Sequence, residues 1–206
     1  SRSAHMTYTY DEELSRFALG QYPQYKGSSG HEEIDCIRAK ARCCDMLFTR
    51  LLKSLEENGH LEDTVIVGVT DHYAYGIQDK ERLLEESGVN DILLVEKTPC
   101  FIWSYGGTPL EVDKTLNTAD LLPTLVNLFG LESDYHYLGQ DAFDENYPGY
   151  AVFQDCSWVT EEGACRDGRI VAAFSDEGPA AQVEAMNALA KEYIHMNNLL
   201  LESDYY

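Results

Sequence analysis

Asp71 and His72 are adjacent at the end of the run DTVIVGVTDHYAYG, which spans Asp63 to Gly76. A carboxylate oxygen beside an imidazole nitrogen is a mixed donor pair suited to a divalent ion such as manganese, magnesium or zinc. The position adds to the chemistry. Thr64 to Val69 is uncharged and β-branched apart from Gly68, a composition that predicts a strand buried on both faces of a parallel sheet. Reacting groups in open α/β sheets collect at the carboxyl ends of such strands. On spacing alone the pair also reads as an ordinary turn.

The elements needed to hold such a site can be read on either side of it. Ile34, Ile37, Ala41, Cys44, Phe48, Leu51 and Leu55 recur by threes and fours, which predicts a long helix with one apolar stripe packed on the sheet. Gly59 is placed to end that helix, and QYPQYKGSSG, from Gln21 to Gly30, reads as a loop. Ile77 to Gly88 is a charged helix or loop, and Ile92 to Val95 fits either a strand or a helix. Phe101 to Trp103 predicts a core strand, with Gly106 and Gly107 in the turn that follows.

Asn117 to Phe129 predicts a helix capped by Thr118 or Asp120. Pro123 then falls in the first turn, where its missing N–H costs nothing. Leu121, Leu122, Leu125, Leu128 and Phe129 would be its buried face, and Asp120 reads as a cap rather than a metal ligand. Further on, Tyr150 to Phe153 and Arg169 to Phe174 predict a hairpin, and Val183 to Leu200 a terminal helix. His31, His60 and His136 read as solvated or structural.

With 206 residues the chain can bury a core, and one domain is the default expectation. Fifteen basic against 36 acidic residues leave a net charge of −21, which repels nucleic-acid backbones and anionic head groups. No apolar run reaches the roughly 18–20 residues that cross a bilayer, and no signal peptide opens the sequence, so a soluble chain is expected. Six cysteines without a CxxC pair argue against a zinc knuckle.

VIVGVTDHYAYG resembles the strand and metal-binding Asp-His of the alkaline phosphatase and sulfatase superfamily, and specifically its lipoteichoic acid synthase (phosphoglycerol transferase) branch. Other stretches resemble that branch in the same order. SAHMTYTYDEE matches a segment in which a histidine precedes an aromatic, a threonine and acidic residues, and TPCFIWSYGG matches a core strand with its glycine loop. NTADLLPTLVNLFGL and YLGQDAF match a later helix and the turn after it. The match runs from about residue 3 to residue 143 and covers only the back part of the family's catalytic domain.

The resemblance implies an alkaline-phosphatase-like α/β/α sandwich. Residues 1–206 would be an incomplete, C-terminal portion of it, with a small antiparallel hairpin and a C-terminal helix. It implies Asp71 and His72 as ligands of a divalent metal, manganese first, with magnesium or zinc as alternatives, weakly bound or absent in this portion alone. It implies His5 as a contact to the substrate phosphate. SRSAHM also reads as a vector scar, in which case His5 carries no role.

A threonine nucleophile and a further acidic ligand would lie upstream, leaving no catalytic nucleophile in this stretch. The implied reaction moves glycerophosphate from phosphatidylglycerol, a lipid-derived phosphodiester, to an acceptor alcohol. The parent would be anchored by membrane helices with its catalytic domain outside the cell. That setting would permit a disulfide between Cys156 and Cys165. A sulfatase or other phosphohydrolase, a phosphosugar mutase and a non-catalytic module remain alternatives, and a Cys-x-Pro-x-Arg run upstream would mark the sulfatase.

Overall fold

The computed structural model describes residues 12–73, 76–203 and 205. His5, the expected phosphate contact, lies outside them. The chain divides into two compact units between Thr108 and Pro109.

The first unit is built on the expected long helix. Helix α1 (Glu12–Gln21) leads through a 3-10 turn at Pro23–Tyr25 to helix α2 (Glu32–Glu57). Asn58 and Gly59 end α2, and Gly59 takes the left-handed backbone, φ 72°, that such a stop favours. Ile34 of α2 forms a small core with Ile77 and with Leu83 of helix α3 (Lys80–Ser87). Ile92–Val95, open between strand and helix in the sequence, is the one-turn helix α4, capped by Asp91 through the Leu93 N–H.

Strand β1 (Val65–Val69) pairs with β2 (Cys100–Ser104), from Val65 opposite Ser104 to Val69 opposite Cys100. This corrects the expectation of a parallel strand buried on both faces. The pairing is antiparallel, and the ladder has two strands only among the described residues. The uncharged sequence is suited to double burial, but within this unit the valines at 65, 67 and 69 remain 41%, 38% and 52% exposed. On the opposite face the Phe101 ring meets Phe48 of α2 edge-on at 5.5 Å. Phe101 also lies across Gly68, where any Cβ would overlap its ring.

In the second unit, the helical run from Asn117 starts as a 3-10 turn, Thr118–Asp120, and continues as α5 (Leu121–Leu128). Asn117, not Thr118 or Asp120, is the cap. Only part of the expected apolar face is covered, since Leu122, Leu128 and Phe129 are exposed while Thr124 is buried. Four short strands follow, β3 (Ala151–Val152), β4 (Trp158–Val159), β5 (Gly163–Arg166) and β6 (Arg169–Ala173), in an antiparallel meander in chain order. This corrects the predicted hairpin: its two strands are β3 and β6, the opposite edges of a four-stranded sheet, which pair with β4 and β5 and not with each other. Helix α6 (Val183–Ser203) lays Met186, Leu189, Tyr193 and Ile194 against a core of Val152, Trp158, Cys165 and Ala190.

All six cysteines are free thiols in this structure, which holds no Cys156–Cys165 disulfide. Cys165 is buried within β5, opposite Trp158 on one side and Ile170 on the other. No helix among the described residues is long and apolar enough to cross a membrane. The elements make up a mixed helix-and-strand fold of small antiparallel sheets with a C-terminal helix, consistent with part of an alkaline-phosphatase-like α/β fold.

Candidate functional site

Strand β1 stops at Val69, and the chain bends through Asp71 and His72. Thr70 ties the exit of β1 to the entry of β2 by donating its hydroxyl to the Pro99 carbonyl at 3.3 Å. The bend is partly self-made. One oxygen of Asp71 accepts the His72 backbone N–H at 3.0 Å, which turns the other toward the ring, 3.5 Å from Nε2.

The imidazole is oriented from its other side. His72 Nδ1 lies 2.8 Å from the Tyr73 carbonyl, and since a carbonyl can only accept, Nδ1 donates there while Nε2 faces Asp71. A backbone carbonyl fixing the tautomer in this way is a common support for a metal-ligating histidine. Two donors each about 2.1 Å from one ion, at about 90–110° to each other, lie about 3.0–3.4 Å apart. The observed 3.5 Å is close to that spacing. The Asp71 side chain is 85% exposed and that of His72 32%, so an ion would meet an open carboxylate and a half-sheltered ring. Among the described residues, no group of three or more His, Cys, Asp or Glu side chains could hold a metal ion together.

The loop beyond the pair is held to α2 by buried acids. Glu33 accepts the Gln78 N–H at 3.1 Å. Arg82 of α3 reaches the Ser29 carbonyl at 3.2 Å and Glu86 at 2.6 Å, and Glu86 also receives Arg38 of α2 at 2.7 Å. Asp35, buried in the first turns of α2, accepts from the Gly27 and Ser29 backbones and from the hydroxyls of Ser28 and Ser29. Burial pushes the Asp35 carboxyl up, but the bonds from Ser29, Ser28 and Gly27 outweigh it and leave its pKa below the ordinary value. The run of acids and bases from Asp79 to Glu86 therefore clamps α3 to α2, and Asp79 caps α3 through the Arg82 N–H.

The second unit has an acidic centre of another kind. Asp120 is buried and accepts the Asn117 N–H at 2.8 Å, the Gln140 N–H at 2.7 Å and the Tyr147 hydroxyl at 2.9 Å. The expectation that Asp120 caps the helix is corrected, since Asn117 is the cap and Asp120 closes the capping box by accepting the Asn117 N–H. Gly139 lies so close to Ala119 that a side chain there would strike the Ala119 carbonyl, which brings the Gly-Gln-Asp-Ala-Phe turn onto this carboxylate. Burial and the Asp120 charge raise the pKa of Tyr147, and the same two causes, joined by Tyr150, raise Tyr193 to about 12. His136 is exposed and stacks on Tyr205 at 5.2 Å. The sequence held no signal for the Tyr73 carbonyl, because that contribution comes from backbone.

Comparison with known proteins places these residues in context. The family model for Sulfatase matches residues 1–131, a stretch that contains Asp71, His72 and Asp120. Lipoteichoic acid synthase 2 of Bacillus subtilis is 20% identical over 212 residues, covering 98% of this chain and 31% of that protein. Lipoteichoic acid synthase of Staphylococcus saprophyticus is 28% identical over 156 residues, covering 70% of this chain and 23% of that protein. The chain thus spans a quarter to a third of the length of these relatives.

Proposed function

This chain belongs to the sulfatase family, and from that membership we propose that it forms the C-terminal portion of a metal-dependent phosphoglycerol transferase catalytic domain, acting outside the cell on a lipid-derived phosphodiester. Both relatives carry the name lipoteichoic acid synthase, which favours transfer over hydrolysis. The observation that carries the reading is the Asp71–His72 pair, a carboxylate oxygen and the imidazole Nε2 3.5 Å apart at the end of β1.

In this reading Asp71 and His72 hold the divalent metal, manganese before magnesium or zinc. When bound, that ion would supply Lewis-acid stabilisation of charge on the phosphoryl oxygens. Asp71 uses one oxygen to fix its own turn and offers the other. Tyr73, through its carbonyl, keeps the proton on His72 Nδ1. His5 would donate a hydrogen bond to the substrate phosphate, and a threonine preceding this stretch would be the nucleophile.

Manganese and magnesium take about six ligands and zinc about four, so a two-donor pair alone should bind weakly. Calorimetric titration of the 206-residue chain with manganese at physiological salt is expected to give only weak binding and no glycerophosphate transfer. A tight one-to-one site abolished by Asp71→Asn would place the remaining ligands within this chain and end the proposed division of the centre.

A further inference from the structure

The turn between β5 and β6 holds two arginines directly opposite each other. Asp167 and Gly168 form it with left-handed backbones, φ 51° and 71°, the conformation that a two-residue hairpin turn needs at both positions and that Asp-Gly supplies. The residues flanking such a turn are cross-strand partners, and here they are Arg166 and Arg169. With Asp167 and Val171 they line a cavity of about 450 Å³, within the roughly 300–1,000 Å³ of small-molecule sites. The register shifts between Ala164 and Cys165, and a bulge of this kind re-aims the side chains beside it.

Like charges directly opposite each other destabilise a strand pair. The turn itself does not ask for them, and basic residues are scarce around it. From Pro109 onward the lysines and arginines are Lys114, Arg166, Arg169 and Lys191, so half of them stand on this one turn. β6 is the edge of its sheet, and one charge there would keep foreign strands away. Arg166 lies on β5, inside the sheet, where that purpose is absent. Arg169 is exposed and has no ion pair among the described residues.

An anion shared by both guanidinium groups removes the repulsion. Two arginines and the Asp167 carboxylate leave one net positive charge at the cavity. A carboxylate satisfies a single guanidinium fork. A phosphodiester carries one negative charge over two unbridged oxygens that diverge from a tetrahedral phosphorus, one for each arginine, and its two ester arms can leave toward solvent.

We propose that the Arg166–Arg169 turn binds a phosphodiester, free or in a lipid head group, with one guanidinium on each unbridged oxygen. The inference goes beyond the metal-site reading and does not rest on it. The net charge of −21 opposes any anion at long range, but salt screens that field beyond about 8 Å and leaves the local pair to act, so the affinity is modest.

The test titrates the 206-residue chain at physiological salt with dimethyl phosphate, the simplest phosphodiester, and follows the arginine Nε–H signals by NMR. Those of Arg166 and Arg169 should shift together on one saturable curve in the millimolar range, and acetate should bind about tenfold more weakly. Arg169→Gln should weaken the binding about tenfold and, by removing the repulsion, raise the urea midpoint at low salt. Arg169→Lys keeps the charge without the fork and should recover little of the binding, while Asp71→Asn should leave it unchanged. Phosphatidylcholine vesicles with and without phosphatidylglycerol separate the sources. Sedimentation that requires both phosphatidylglycerol and Arg169 assigns the phosphodiester to a lipid head group, and binding of dimethyl phosphate alone assigns it to a soluble ester.

Equal affinity for acetate, shifts that do not saturate, or binding untouched by Arg169→Gln overturns the proposal. So does movement of the two signals with protein concentration before any ester is added, since an acidic side chain of a second copy would then be the ligand. Should Arg169→Gln lose the native circular dichroism, the wild-type titrations with dimethyl phosphate and acetate decide alone.

Discussion

The two sheets of this chain differ in what surrounds them. The four-stranded meander has α6 against it and the fully buried Trp158 at its centre, with the indole N–H donated to Asn187 at 2.8 Å. Among the described residues the β1–β2 ladder meets α2 through the Phe101–Phe48 contact and shows an open row of valines. The sheet that carries the candidate ligands is therefore the one that its own unit does not finish. The candidate ligands thus follow the element with the least cover of its own, whereas the covered sheet carries none.

Side-chain truncation should expose that contrast most strongly. Trp158→Ala leaves a large cavity and strands the Asn187 carbonyl, and it should lower stability by about 3–5 kcal/mol. Val67→Ala removes two methyl groups from a surface that is already wet, and should cost less than about 1 kcal/mol. Urea denaturation of both variants measures the difference, and equal losses would erase the distinction between the sheets.

Asp120→Asn should come next. The carboxylate accepts three hydrogen bonds, whereas an amide has one acceptor oxygen and sets an NH2 group against one of the donors, for a loss of about 1–3 kcal/mol. Thermal unfolding checks it. A neutral result would mean that the turn at Gly139–Gln140 is held by backbone packing alone.

Alkaline pH should act on the same centre more gently. The Tyr193 hydroxyl is buried without a hydrogen-bond partner, and its pKa is raised to about 12 against about 10 in the unfolded chain. The folded state then holds the proton that the unfolded state has released, so this contribution is complete below pH 10 and is lost as pH rises from 10 through 12. Tyr193→Phe removes the titration and an unsatisfied hydroxyl together. It should be neutral or slightly stabilising at pH 7 and should flatten the decline above pH 10, as denaturant midpoints across that range would register.

The smallest effect is expected at the candidate ligand. With its side chain 85% exposed, Asp71→Asn should change stability by no more than about 0.5 kcal/mol. A larger loss in a denaturant titration would make Asp71 a structural turn residue.

What could be read in advance followed from local pattern. The stripe from Ile34 to Leu55 located α2 but not its buried face, since Cys36, Ala39 and Lys40 are buried off the stripe and Leu51 on it is exposed; Gly59 marked the end because few other residues adopt the left-handed backbone there. β1 was legible as a strand, but its neighbour was not, since an uncharged β-branched run fits a parallel or an antiparallel partner equally. β4 and β5 went unseen because two residues, and then Gly-Ala-Cys-Arg, are too short and too irregular to alternate. The three donors to Asp120 include residues 20 and 27 positions away, and no spacing rule joins them. Asp71 and His72 were recognisable by type and place, while the tautomer of His72 depends on a carbonyl that every residue possesses.

Gly68 also acts as a register key. A one-residue slip between β1 and β2 would carry Phe101 to the other face of the ladder, and a two-residue slip would set its ring over Ile66 or Thr70, where a branched Cβ fills the space that Gly68 leaves empty. Only the native pairing gives the ring a flat seat between Gly68 and Phe48. Asp71 is three residues beyond that seat, so the absence of a side chain at one position in the strand sets how far the candidate ligands project past its end.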